Sequence, residues 1–92
     1  MNNVRLSGQL VCDGPDQVAI VMQHLPLHME LTRAEEGCLS FEVKPTQEPF
    51  VWQVDEQFRD ATAFQAHQKR VADSEWGRLT AGIERRYIVE GI

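Results

Sequence analysis

Cysteine is scarce: Cys12 and Cys38 are the two thiols in 92 residues, and no Cys-x-x-Cys pair occurs. That is too few for a disulfide framework. Also absent are a glycine-rich phosphate loop, a Walker motif and a Gly-x-Ser-x-Gly elbow, so most cofactor classes lose their usual sequence support. No apolar run approaches the ~18 residues that a membrane span requires. The opening "MNNVRLSGQL" has neither the basic start nor the apolar run of a secretory signal, and cytoplasmic residence is the expectation. Basic charge is in deficit, with nine Lys and Arg against 14 Asp and Glu and a net charge of −5. The densest basic spot is "ERR" at 84–86, too small for the stripe that would neutralise nucleic-acid phosphates.

What is present suits one small domain, residues 1–92. At 42% hydrophobic and 25% charged, the chain has the composition of a globular protein. "VRLSGQLVC" (4–12) alternates, with Val4, Leu6, Leu10 and Cys12 on one side, and reads as a half-exposed strand. "DGPD" follows as a turn and helix start, Pro15 suiting the first helical position. Val18, Val21, Met22, Leu25 and Met29 define an apolar helix face. Pro26 is expected to kink or split that helix, and Gly37 to end it. "CLSFEVK" (38–44) alternates again, placing Leu39, Phe41 and Val43 together. After a two-proline loop, "FVWQVDEQF" (50–58) carries the row Phe50, Trp52, Val54 and Phe58, interrupted by Glu56. Asp60 caps a second helix in which Phe64, His67 and Val71 share a face. "ERRYIVEGI" (84–92) is the last strand, its parity open, so Arg85, Arg86 and Tyr87 are not assigned to a face.

Strand, helix, strand, strand, helix, strand is the order of the α+β, ferredoxin-like split βαβ arrangement. Its four-stranded antiparallel sheet carries both helices on one face. The first and second strands then flank the third, roughly 10 Å apart, which is too far for a Cys12–Cys38 bridge. Free thiols are expected. The helix-free face holds Ser7, Gln9, Val11, Ser40, Gln53 and Gln57, with fewer Lys and Glu than a wetted face usually carries. A second copy packed sheet to sheet, a homodimer, is the reading of that face; an open, wet face on a monomer is the alternative.

"TRAEEGCLSFEV" and "FVWQVDEQFRDATAFQAHQ" together resemble the antibiotic biosynthesis monooxygenase family. Glu36, Gly37, Cys38 and Leu39 match its acidic-Gly-Cys-Leu start of the second strand. Glu56 and Phe58 match the Glu and aromatic that end the third strand, and Asp60, Ala66 and His67 match the helix that follows. The resemblance implies a dimeric α+β barrel with a pocket in each subunit between helices and sheet. It further implies oxygenation of hydroquinones or related phenols by molecular oxygen, with no metal or flavin, and hence a small aromatic substrate as partner. A haem-degrading branch shares the fold but uses a strand Asn, a helix Trp and a later His. Here the strand row has no Asn, His67 stands nearest the Trp position and no His follows it, so haem is set aside. A non-catalytic ligand-binding or regulatory dimer stays open as the second reading.

Individual residues carry competing expectations. His67 is either a general base, its ordinary pKa being suited to a phenolic proton, or a buried histidine bonded to a strand residue such as Glu56. Trp76 lies nine residues beyond His67, about 900° around one continuous helix and so on its opposite side. The two meet only if the helix breaks, and Asp73 or Ser74 can cap a new one that brings Trp76 over the pocket mouth. Trp76 is then a lid or stacking wall, or the end of the core. Glu56 either orients His67 or pairs with an Arg such as Arg86. Trp52, Phe41, Phe58 and Phe64 are expected in the core, doubling as pocket wall. His24 and His28 have the spacing of a zinc pair, but Pro26 intervenes and no third ligand is evident, so they read as a solvated flank.

Overall fold

In the computed structural model, which describes residues 2–92, the elements run β1 (Val4–Val11), α1 (Pro15–Arg33), β2 (Cys38–Pro45), β3 (Val51–Phe58), α2 (Ala61–Ala72), α3 (Glu75–Leu79) and β4 (Glu84–Glu90). The strands form one antiparallel sheet in the order β2-β3-β1-β4, and the helices cover one of its faces. This is the α+β ferredoxin-like arrangement that the order of hydrophobic periods implies. Val4, Leu6 and Leu10 of β1 and Val54 and Phe58 of β3 are buried beneath the helices, as period-two alternation requires. Both cysteines are free. Among the described residues no helix is long and apolar enough to cross a membrane.

Three local expectations are corrected. Pro26 does not split the first helix, since α1 runs unbroken through it. Proline deletes one backbone donor there, but Pro26 and Met22 face solvent, where water can serve the freed Met22 carbonyl. On β2 the ladder shifts between Cys38 and Ser40. The extra residue flips Leu39 outward to 53% exposure, while Cys38, Phe41 and Val43 stay on the helix side. On α1 the buried stripe is Val21, Leu25, His28 and Thr32; Met22 is exposed, and the flank that was expected to carry His28 is buried.

The break after α2 is built from short-range chemistry. Asp60 caps α2 by accepting from the Ala63 amide at 2.8 Å. Ser74 then caps α3: its Oγ accepts from the Gly77 amide at 3.0 Å and donates to the Val71 carbonyl at 2.6 Å. Gly77 is needed for that fold-back, because a Cβ there would stand 2.0 Å from the Val71 carbonyl oxygen. The reversal turns Trp76 inward, 8% exposed, onto the side that His67 occupies.

The last strand's parity is decided by its pairing with β1. Arg85 lies opposite Leu10 and Tyr87 opposite Gly8, so both take the helix side, and Arg86 and Ile88 take the open face.

Candidate functional site

Between α2, α3 and the sheet lies a cavity of about 320 Å³, at the small end of the usual range for small-molecule sites. Leu6, Leu10 and Val54 form its floor and Phe41 and Val43 one side. Into this apolar space reach His28, Glu56, His67, Trp76, Arg85 and Tyr87.

His67 is 2% exposed and held through one ring nitrogen. Its Nδ1 lies 2.6 Å from Glu35 Oε1. A carboxylate there accepts a hydrogen bond from the Nδ1–H, which fixes the tautomer and leaves the Nε2 lone pair free. Glu35 is itself fixed: Arg70 Nε donates to its Oε2 at 2.8 Å, and Arg70 Nη2 donates to Thr32 Oγ1 at 2.9 Å. On the cavity side, His67 Nε2 is 3.5 Å from Glu56 Oε1, a loose contact at best. The chain Arg70–Glu35–His67 thus has the form of a base oriented by a third group.

Burial sets the protonation states. It lowers His67 below the ordinary histidine range, against the pull of the Glu35 hydrogen bond and charge, with Arg70 reinforcing the lowering. Glu56 is pushed up to about 7, first by burial and then by the Glu35 charge, with Arg85 opposing. His28 falls to about 3 through burial, aided by Arg70, His67 and Arg85. Burial lifts Tyr87 to about 12, against the Arg85 charge. At neutral pH the cavity therefore presents a neutral imidazole with a free nitrogen, beside a carboxyl group poised to hold or release a proton.

The residues expected at the site divide. His67, Glu56, Trp76 and Phe41 come together around the cavity. Phe58 lies beneath the His67 ring, centroids 4.8 Å apart, and Phe64 packs on Phe58 at 5.7 Å; neither lines the space, nor does half-buried Trp52. Arg86 does not pair with Glu56: it is exposed and bonds to Glu84. Its neighbour Arg85 is the cavity's cation, donating to Thr80 O at 2.7 Å and to Thr80 Oγ1 at 2.7 Å. His24 and His28 diverge: His24 sits 3.5 Å from Glu75, and His28 enters the cavity wall.

Of the participants that were not read from the sequence, Glu35 and His28 matter most. Glu35 sits in a turn whose neighbours look solvated, and no local signal marks it as the partner of a residue 32 positions away. His28 did have a signal, lying seven residues after Val21 and three after Leu25 on the buried stripe. Replacing Glu35 with Gln is expected to move the His67 titration further to acid pH, because the Glu35 charge raises that pKa. It is also expected to destabilise the fold by about 1–3 kcal/mol. Proton NMR of the His67 ring and urea unfolding read the two effects; an unmoved titration would show that the pair is not coupled.

The fold and its helix-covered cavity define a ferredoxin-like α+β domain with a small-molecule-sized site. The antibiotic biosynthesis monooxygenase family matches residues 14–76, more than half of the chain, and the chain belongs to that family. Solved structures agree in fold. A conserved protein from Methanosarcina mazei Go1 superposes with a TM-score of 0.77 at 20% identity, covering 99% of this chain and 93% of that one. A Nitrosomonas europaea protein named as a candidate antibiotic biosynthesis monooxygenase gives 0.77 at 13% identity, covering 100% and 92%. A Deinococcus radiodurans protein named likewise gives 0.74 at 18% identity, covering 97% and 91%. No curated protein matches the chain in sequence.

Proposed function

We propose that this chain is a monooxygenase that oxidises a hydroquinone or related phenol with molecular oxygen, without a resident cofactor. The observation that carries the reading is His67, anchored through Nδ1 by Glu35 and presenting Nε2 to a cavity floored by aliphatic side chains. Nε2 takes the phenolic proton, and the resulting phenolate gives an electron to oxygen. The radical pair combines at a ring carbon while the apolar lining keeps water out. Glu56, protonated over much of the neutral range, supplies the proton with which the O–O bond breaks. His67 returns its proton to the peroxide, Glu56 protonates the departing oxygen, and the C–H proton of that ring carbon passes back to Glu56 as the new C=O forms. One oxygen atom stays on the ring, the other leaves as water, and all the electrons come from the ring.

An oxygen electrode with chelator-treated protein and reduced naphthoquinones tests this. Uptake no faster than autoxidation would remove the oxygenase reading. Binding of the same compounds without uptake would select the second reading, a ligand-binding or regulatory protein, for which the cavity serves equally well.

The same proposal includes a homodimer and a cytoplasmic setting. The open face of the sheet shows Ile88 at 69% exposure beside Ser7, ringed by charges of both signs that include Asp55, Arg86 and Glu90. On such a surface a second copy would cover the apolar side chain and pair the charges. Sedimentation equilibrium is expected to give twice the single-chain mass at micromolar concentration. A single-chain mass there would reject the dimer.

A further inference from the structure

Two side chains that line the cavity each carry a buried polar atom with no hydrogen-bond partner among the described residues: Nδ1 of His28 and Oε1 of Glu56. Glu56 at least has the His67 ring 3.5 Å away. His28 has no such neighbour and is 5% exposed, on a helix stripe whose preceding members, Val21 and Leu25, are aliphatic. Burying an unpaired imidazole costs stability, and a leucine would continue the stripe without that cost. The ring is nevertheless held in one orientation. It stacks on Trp76 with centroids 4.6 Å apart and 7° between planes, and meets Phe41 edge-on at 5.3 Å and 84°. Its centroid is 6.3 Å from that of His67, so two imidazoles border one small space. A polar group kept dry, unpaired and rigid in a cavity wall is arranged for a partner that arrives from outside the chain.

We infer that His28 is a second ligand-binding residue of this cavity, hydrogen-bonding a hydroxyl group of a bound aromatic compound while His67 acts elsewhere on it. This rests on reading the cavity as a ligand site, and adds to that reading the residue that selects hydroxylated rings over plain ones. An ether or an unsubstituted ring leaves the imidazole unmet, so discrimination arises from the penalty on the wrong ligand as much as from attraction to the right one.

Naphthol and naphthalene serve as probes, with binding measured by calorimetry and stability by thermal unfolding of the same samples. The wild-type protein is expected to prefer naphthol. His28→Leu is expected to erase that preference by about tenfold while raising the thermal midpoint, and His28→Gln to keep part of the preference. This opposed pair of changes is what a purely structural ring would not produce. An unchanged preference in His28→Leu, or a lowered midpoint or failure to fold, would overturn the inference. Wild-type protein that binds neither probe would take the ligand-site reading down with it. Naphthol selectivity without oxygen uptake would remove the oxygenase reading and leave the assignment of His28 standing.

Discussion

Replacing His67 with alanine is expected to slow oxygen uptake with a reduced naphthoquinone by about a hundredfold to ten-thousandfold, the range of a lost general base. The reason is positional as well as chemical. Glu35 holds the ring through Nδ1 and is itself held by Arg70, so Nε2 is fixed in the cavity wall before any substrate arrives. A free phenol at neutral pH is almost wholly protonated, and only its anion donates an electron readily to oxygen. Without Nε2 that proton has Glu56 as its nearest acceptor, and a carboxyl group raised to about 7 is often already protonated. Circular dichroism should show the fold retained. Undiminished uptake in a folded His67→Ala protein would remove His67 as the base and with it the mechanism proposed above.

Acid lability is the second large effect. His28 has a folded pKa of about 3 against an ordinary 6.5. A depressed pKa means that the folded state binds fewer protons than the unfolded chain. Its contribution is fully present above about 6.5 and is lost as pH falls towards 3. The loss is on the order of 5 kcal/mol, comparable to the whole stability of a small domain. Lowered His67 acts in the same direction. Glu56 acts in the opposite one: its pKa is raised from 4.5 to about 7, so stability is greatest below 4.5 and falls as pH rises through 7. Its share is about 3 kcal/mol. Urea unfolding across this range is expected to show an acid limb, steepest between about pH 3 and 4.5, that His28→Leu flattens, and an opposing loss between about pH 4.5 and 7 that Glu56→Gln removes. Acid limbs that coincide in wild type and His28→Leu would mean that the imidazole reaches water in the folded state.

Much of the layout was legible in the order of residues, because it depends on periodicity and local chemistry. Period-two runs marked the first three strands. The Asp60 cap and the possibility of a Ser74 cap lay in adjacent residues, and the second of these made a shared site for His67 and Trp76 possible. Leu39 escaped that logic, since a single-residue bulge reverses parity without changing composition. Pro26 escaped it because the cost of a missing donor depends on whether the orphaned carbonyl meets water.

What the sequence by itself determined was the layering and the buried sides of β1 and β3, set by spacings of a few residues, with the candidacy of His67 resting mainly on the family resemblance. Only the tertiary structure decided the company His67 keeps. Glu35 reaches it across 32 residues, Arg85 and Tyr87 reach the cavity through the register of β4 on β1, and His28 reaches it because α1 continues through its proline. Charge coupling and burial depend on distance in space, and a linear pattern carries that information only where neighbours in the chain are also neighbours in the fold.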